Sequence, residues 1–220
     1  MARKPADQTV SREDVLAAAA RVFRLHGYHG ATMQLIGAEL GLRQSSLYHY
    51  FPSKHTLLIT LLNEGLDRLT RVVLVAAHPD LPADLRLDRA IHAYLHCVAD
   101  FPDVALVTIL EARAVFENPE ERHVYIARRD ALESLFAAII SDGVKQGVFR
   151  PIDTSIVVKM LFSVHNWFVV WYRPDGRLPV EAISHIISQF FLAALETGDL
   201  RLGIGDWSAS RPSQSPIPNL

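Results

Sequence analysis

Apolar residues recur every three to four positions along most of the chain, and no segment shows the strict alternation of apolar and polar residues that marks a strand. This periodicity predicts an all-α protein with about nine helices. A first helix opens at a capping box formed by Ser11 and Asp14 and ends at Gly27. Its inward positions are apolar: Val15, Ala19, Val22 and Phe23.

Two short helices follow the first one closely. Thr32 can cap the second helix and Gly41 ends it, and a third helix runs from about Gln44 to Phe51. Only residues 41–43 separate them. Two short helices across such a tight, glycine-containing turn, preceded by a helix that closes the core, predict a helix-turn-helix. We therefore expect a three-helix DNA-binding domain over residues 1–56.

A larger helical domain is predicted over residues 57–205. Pro52 ends the third helix, Ser53 caps a long helix over about 54–76, and prolines 79 and 82 mark the clearest break in the chain. Five more helices are predicted after this break, at about 84–101, 103–117, 120–146, 153–172 and 179–197. The Ser/Pro-rich tail over 206–220 is expected to be disordered.

The last two predicted helices indicate self-association. Helix 153–172 is apolar on nearly all sides, and helix 179–197 carries a broad apolar stripe. A helix that is apolar all round needs partners all round, and near a chain end the missing partner is often a second subunit. We expect a homodimer through these two helices. Lys159, His165 and Asn166 interrupt the first of them, which argues against a membrane span.

Charge is distributed unevenly although the net charge is only −2. Residues 1–56 contain seven Lys or Arg against four Asp or Glu, and the remainder contains fifteen against twenty. The N-terminal quarter is therefore the part suited to a polyanion such as DNA.

Cysteine content and the N-terminus indicate the compartment. The single cysteine, Cys97, excludes an internal disulfide and agrees with a reducing environment. The first residues lack the apolar core of a signal peptide. We expect a cytoplasmic, nucleoid-associated protein of a prokaryote.

The third predicted helix combines aromatic and polar side chains in a way that fits a DNA groove. Leu47 and Phe51 lie four residues apart and face the core, so the polar positions point outward. The side chains available to contact base edges are then Gln44, Ser45, Ser46 and His49. Tyr48 and Tyr50 flank this surface within reach of phosphates, and Lys54 adds a second anion site at the start of the long helix.

These residues resemble TetR-type transcriptional regulators. The family signature G-x-x-x-T-x-x-x-I-A-x-x-x-G followed by S-x-x-x-L-Y-x-Y-F-x-x-K appears here as G-Y-H-G-A-T-M-Q-L-I-G-A-E-L-G-L-R-Q-S-S-L-Y-H-Y-F-P-S-K. Gly37 stands where the family usually has alanine, which loosens the second helix slightly. The resemblance implies a homodimer that binds a palindromic operator, usually as a repressor. It also implies phosphate contacts from Thr32, Tyr48, Tyr50 and Lys54, and a base-facing surface of Gln44, Ser45, Ser46 and His49.

A second resemblance concerns the effector, the small molecule that the second domain of such regulators binds. The segment S-V-H-N-W-F-V-V-W-Y-R-P-D-G-R-L, residues 163–178, is similar to TetR-type regulators of fatty-acid and steroid degradation that respond to acyl-CoA thioesters. An acyl-CoA needs an apolar channel for its acyl group and cations for its phosphates. Candidate ligand contacts are Arg113, His165, Asn166, Trp167, Trp171 and Arg173, with Arg128, Arg129 and Arg177 as further cations. Equally, the two tryptophans can build a dimer core, and arginines on exposed faces are commonly only solvated.

Other chemistry has less support. His92 and His96 have metal-ligand spacing, but H-A-Y-L-H lacks the glutamate of H-E-x-x-H, so we expect pocket lining or a polar core and no metal. Cys97 on the same helix is expected to be a small buried apolar residue. No catalytic motif indicates an enzyme or a cofactor. The alternatives are an efflux regulator that responds to an amphipathic drug or free lipid, and a helical enzyme or protein-binding module with a vestigial helix-turn-helix.

Overall fold

The computed structural model describes residues 10–113 and 118–196, and within these ranges it contains nine α-helices. They are α1 (Arg12–Gly30), α2 (Met33–Leu40), α3 (Gln44–Leu47), α4 (Lys54–Ala76), α5 (Ala83–Asp100), α6 (Pro102–Leu110), α7 (Pro119–Lys145), α8 (Thr154–Trp171) and α9 (Val180–Leu195). The described residues contain no strand beyond a single antiparallel bridge between Phe149 and Glu196. The prediction of an all-α fold is confirmed.

Local signals at the N-terminus form as the sequence predicts. The Ser11 hydroxyl accepts from the Asp14 amide, and the Asp14 carboxylate accepts from the Ser11 amide, at 3.0 Å each. Thr32 caps α2 by accepting from the Leu35 amide at 3.2 Å. Gly41 ends α2 in the left-handed conformation with φ +69°. Gly27 does not end α1 as expected: at φ +64° it kinks the helix, which continues to Gly30.

Two further predicted helix ends are wrong. The third helix was expected to reach Phe51, but α3 ends at Leu47, because the amides of His49 and Tyr50 bond three residues back and close tighter turns. The sixth helix was expected to reach residue 117, but α6 ends at Leu110, where the backbone of Glu111 leaves helical values. Residues 114–117, 197 and the tail 206–220 lie outside the described residues.

The larger part of the fold is organised around α5, which packs against α4, α7, α8 and α9. Helix α6 contacts α1, α4 and α8, and thus touches both the N-terminal helices and the C-terminal bundle. Gly65 on α4 permits this close approach, since a Cβ there would lie 3.0 Å from the Val104 side chain of α6.

Helix α8 has the length and apolar content of a membrane-spanning helix, as core helices of globular proteins often do. In this structure it packs against α5, α6 and α7 and buries a line of residues toward them. That line is Val157, Val158, Leu161, Phe162, His165, Phe168 and Val169.

Candidate DNA-reading surface and effector cavity

The residues after the turn at Gly41 present a polar surface over an apolar base. Leu47 and Phe51 are buried, with exposed fractions of 0% and 2%. The other side of the element is exposed at Gln44, Ser45 and His49, and Tyr48 is 47% exposed. The Gln44 amide donates to the Tyr48 hydroxyl at 3.1 Å and orients both side chains. Hydrogen-bond donors and acceptors of this kind are what base edges and phosphates require.

The predicted phosphate contacts also hold the small domain together. The Lys54 ammonium donates to the carbonyls of Tyr28 (2.7 Å) and Ala31 (2.8 Å) and lies over the Tyr28 ring. The Tyr50 hydroxyl donates to the Val10 carbonyl at 2.8 Å, and Thr32 caps α2. Their contacts with DNA remain predictions, and Lys54 has one N–H left for such a contact.

Gly37 has a packing reason that the sequence alone did not give. A Cβ at this position would lie 2.8 Å from the Leu42 carbonyl oxygen. The Gly37 carbonyl accepts from the Leu42 amide at 2.8 Å, so the turn before α3 closes directly onto α2. The glycine therefore sets how closely the polar surface is held against α2.

A cavity of about 220 Å³ lies among α4, α5, α6, α7 and α8. Its walls are mostly apolar. The lining residues are Gly65, Leu66, Arg68, Leu69, Tyr94, Cys97, Val98, Phe101, Val104, Ala105, Thr108, Ile109, Ala112, Tyr125, Arg129, Leu132, Phe162, His165 and Asn166. The cavity volume is roughly one and a half times the ~150 Å³ of a dry cavity known to bind benzene. It fits a compact apolar group.

Burial controls the titratable groups in these walls. Desolvation lowers the pKa of His165 to about 3, so the ring is neutral at pH 7. The same effect raises the pKa of Tyr94, Tyr125 and the Cys97 thiol, which keeps all three uncharged. Apart from the two arginines of the lining, the titratable side chains of the wall are therefore uncharged.

Two arginines border the cavity. The Arg68 guanidinium stacks 4.0 Å from the centre of the Phe101 ring, and Arg68 forms no ion pair with any other described residue. Arg129 bonds Asp130 at 2.9 Å and lies 3.5 Å from Glu133. The hydrogen bond to Asp130 is the main reason that the pKa of Arg129 is raised. Both side chains are exposed, so they can meet an anionic group outside the apolar interior.

The structure separates the predicted ligand contacts. His165 and Asn166 line the cavity. Arg113 is exposed and does not line the cavity. Trp167 is 58% exposed and does not line it either. Trp171 and Arg173 instead line a second pocket of about 450 Å³, together with Arg177 and residues of α9. No residue pattern could have singled out Arg68, Tyr94 and Tyr125, because they come from three different helices.

The remaining candidates have structural partners. The rings of His92 and His96 stack 6.3 Å apart, and His92 Nδ1 lies 2.8 Å from the Ser184 hydroxyl. No group of three or more His, Cys, Asp or Glu within residues 10–113 and 118–196 is arranged to hold a metal. Arg128 lies 3.6 Å from Asp67. Cys97 is buried, as expected.

A salt bridge to α6 and a histidine–carboxylate contact to α7 join the small domain to helices around the cavity. Arg24 of α1 lies 2.7 Å from Asp103 of α6, and His55 at the start of α4 lies 2.7 Å from Glu121 of α7. Helix α6 also contributes four residues to the cavity wall. A change in the position of α6 therefore acts directly on α1.

Family models match both parts of the chain. Residues 15–61 match the model of bacterial regulatory proteins of the tetR family, and residues 80–195 match the model of the tetracyclin repressor-like C-terminal domain. This chain belongs to the TetR family. It is a TetR-type DNA-binding transcriptional repressor with a C-terminal ligand-binding domain.

Individual TetR-family relatives resemble the chain over most of its length. The HTH-type transcriptional repressor KstR2 of Rhodococcus jostii (strain RHA1) is 29% identical, over 84% of this chain and 92% of that protein. The TetR-family regulator PfmR from Thermus thermophilus is 29% identical with a TM-score of 0.75, over 81% and 97% of the two chains. AibR, solved with isovaleryl coenzyme A and operator DNA, is 25% identical with a TM-score of 0.73, over 84% and 97%.

Proposed function

We propose that this TetR-family protein is a homodimeric repressor that places residues 44–49 in the major groove of a palindromic operator and is released by an acyl-CoA thioester. The observation that carries DNA reading is the exposed row of Gln44, Ser45, Tyr48 and His49 above the buried Leu47. A cytoplasmic, nucleoid-associated and non-catalytic role belongs to the same proposal.

The preference of the protein among DNA sequences distinguishes base contacts from phosphate contacts. A lost base contact costs ~1–3 kcal/mol and relaxes preference at one position, whereas a lost phosphate contact weakens binding to all sequences. Gel shifts with DNA from the protein's own upstream region should show altered preference for Gln44→Ala and His49→Ala, and uniform weakening for Tyr48→Phe. His78→Ala, on an exposed loop after α4, is the matched control for His49. Failure to bind any palindrome would contradict the proposal.

The dimer is supported by an exposed apolar face that continues from α8 to α9. On α8 the exposed residues recur at spacings of four, four, three and four, which places them on one side of the helix. They are Ile156, Met160, Val164, Trp167 and Trp171. Helix α9 adds Ile186 and Phe190, with 56% and 66% of their surface exposed. Val164 and Trp171 of α8 line one pocket with Ile186 of α9, so the two helices share this apolar surface. Clustered exposed apolar residues of this kind are characteristic of a subunit interface.

Charge placed on this face tests the dimer. We expect the double variant Trp167→Glu, Phe190→Glu to be monomeric in sedimentation experiments, because a dimer would bury unpaired carboxylates. Val75→Glu on α4, at a residue with 75% exposure away from this face, is the control and should leave the oligomeric state unchanged. A double variant that stays dimeric would place the interface elsewhere.

The effector class is supported by the cavity and its rim. The uncharged, mostly apolar interior suits an acyl group, and Arg68 and Arg129 at its border suit the phosphates of coenzyme A. The similarity to AibR, whose structure contains isovaleryl coenzyme A, points in the same direction.

Thermal shifts test this class directly. Acyl-CoA thioesters of graded length, beginning with isovaleryl-CoA, should stabilise the protein, by about 2.7 kcal/mol at 100 times the dissociation constant. The corresponding free acids should bind much more weakly. Arg68→Ala and Arg129→Ala should reduce the CoA-dependent shift, and Arg89→Ala on α5, outside the cavity wall, should not. Equal binding of free acids would indicate a free-lipid effector instead.

The route of release runs through α6. This helix lines the cavity and packs against α1, where Asp103 pairs with Arg24 at 2.7 Å. An acyl group that binds only when α6 has moved would shift α1 and the reading surface with it, because a ligand shifts an equilibrium by its differential affinity for the two states.

A further inference from the structure

The effector cavity is lined by a fully buried histidine that has no hydrogen-bond partner among the described residues. His165 has no exposed surface and lines the cavity on the α8 side. Neither Nδ1 nor Nε2 has a hydrogen-bond partner among the described residues. Buried polar groups in proteins are nearly always paired, so an exception in a cavity wall requires an explanation.

The buried hydroxyls of the same wall are already used. The Thr108 hydroxyl donates to the Val104 carbonyl at 2.8 Å, and the Tyr125 hydroxyl donates to the Thr108 carbonyl at 3.4 Å. The Tyr94 hydroxyl donates to Asn166 Oδ1 at 3.1 Å. His165 differs from all three in having its polar atoms unpaired.

Packing does not explain the nitrogen atoms of His165. Its ring stacks on Tyr94 with centroids 4.3 Å apart, and Phe136 and Phe162 meet it edge to face at 5.6 and 5.8 Å. A phenylalanine could make the same ring contacts without burying unpaired polar atoms. The neutral ring offers one N–H donor and one lone pair.

We propose that His165 is the specificity contact for the buried end of the effector and hydrogen-bonds an uncharged carbonyl or hydroxyl oxygen of its acyl group. This inference rests on the proposed acyl-CoA function for its substrate class. An uncharged oxygen matches the neutral imidazole, whereas a carboxylate would have to be desolvated in an apolar wall. The oxygen is either the thioester carbonyl or a substituent on the acyl chain.

Matched thioesters separate these two sources. We would measure dissociation constants of hexanoyl-CoA and 5-oxohexanoyl-CoA for the wild type and for His165→Phe by calorimetry. A loss of about tenfold, ~1.4 kcal/mol, for the oxo compound alone assigns the contact to the chain substituent. An equal loss for both assigns it to the thioester carbonyl. Unchanged affinity for both, with the wild type binding well, would overturn the role of His165 and leave the proposed function standing.

A fragment experiment tests His165 independently of coenzyme A. Cyclohexanone and methylenecyclohexane have nearly the same shape and differ in a carbonyl oxygen against a methylene group. Affinities for both fragments are measured by ligand-observed NMR for the wild type and for His165→Phe. The protein change and the ligand change together form a double-mutant cycle, in which we expect His165→Phe to weaken the binding of cyclohexanone about tenfold relative to that of methylenecyclohexane. This result would support the contact even if no thioester bound. A coupling free energy of zero in this cycle would overturn the contact, whatever the affinities of the thioesters.

Folding of the variant is measured first. Because His165→Phe removes an unsatisfied polar group, we expect its melting temperature without ligand to equal or exceed that of the wild type. If this variant does not fold, His165→Leu is carried through the same fragment cycle, with the same outcomes for and against. His123→Phe, at an exposed position of α7, is the control and should change neither ratio.

Discussion

Two aromatic clusters in this protein give opposite lessons. In the first, residues 43–54, the exposed side chains are those that the helical spacing turned outward, and Leu47 and Phe51 are buried beneath them. In the second, residues 163–173, the tryptophans that drew attention are on the surface, with Trp167 58% and Trp171 48% exposed, whereas His165 is fully buried in the cavity wall.

The difference follows from what surrounds each element. The first cluster has a single apolar base, so its remaining sides face solvent. Helix α8 has neighbours in α5, α6 and α7 and a further face of exposed apolar residues, two of which, Val164 and Trp171, border a pocket with α9. A helix that is apolar on several sides does not reveal which side meets a ligand, a core or a second subunit.

The largest expected effect tests the base of the first cluster. Leu47→Ala should lower the free energy of unfolding by about 3 kcal/mol, because it removes a fully buried side chain and leaves a void under α3. Urea denaturation followed by circular dichroism measures the change. Leu25→Ala on α1, at a leucine with 67% exposure, should change stability by less than about 0.5 kcal/mol. Equal effects would mean that Leu47 does not hold this element.

A second prediction tests whether Lys54 belongs to the fold as well as to the DNA surface. Lys54→Met keeps the side-chain length but leaves the carbonyls of Tyr28 and Ala31 without their ammonium donor. We expect a loss of about 2 kcal/mol in unfolding free energy without DNA. Lys145→Met, at a side chain with 74% exposure, should cost less than about 0.5 kcal/mol. Unchanged stability at Lys54 would leave it a phosphate contact alone.

The third prediction concerns the inward side of the second cluster. Burial lowers the pKa of His165 from 6.5 to about 3, so below pH 6.5 the unfolded chain binds a proton that the folded chain cannot. Stability therefore falls as the pH drops from 6.5 toward 3. Between pH 7 and 5 the wild type should lose about 2 kcal/mol more than His165→Phe in urea titrations. Parallel pH profiles would mean that His165 is hydrated in the folded state.

The smallest expected effect concerns the turn that positions the reading surface. Gly37→Ala should destabilise by about 1 kcal/mol, although alanine favours helix, because its Cβ would meet the Leu42 carbonyl at 2.8 Å. Gly30→Ala, where a Cβ makes only an ordinary contact at 3.6 Å, is the control and should be neutral within about 0.5 kcal/mol. A stabilised Gly37→Ala would show that the turn can move away from α2.

Sequence reasoning predicted helices well where a local signal marks an end. The caps at Ser11, Thr32 and Ser53 and the glycine at Gly41 all work as expected, because a cap needs only neighbouring residues. Two errors lie where no cap is present: α3 tightens after Leu47, and α6 ends at Leu110 rather than just before the proline that begins α7. A third lies at Gly27, which kinks α1 without ending it.

The sequence by itself determined the all-α class, the TetR family and the polar face after Gly41, since each depends on residues within a short stretch of chain. Only the tertiary structure decided the effector cavity, because its wall combines side chains from five helices that are distant in sequence. It also decided which side of α8 faces inward. For that reason Arg68 and Tyr94 gave no signal in the sequence, whereas His165 was one candidate among several there. The structure makes it a fully buried side chain of the cavity wall without a hydrogen-bond partner among the described residues.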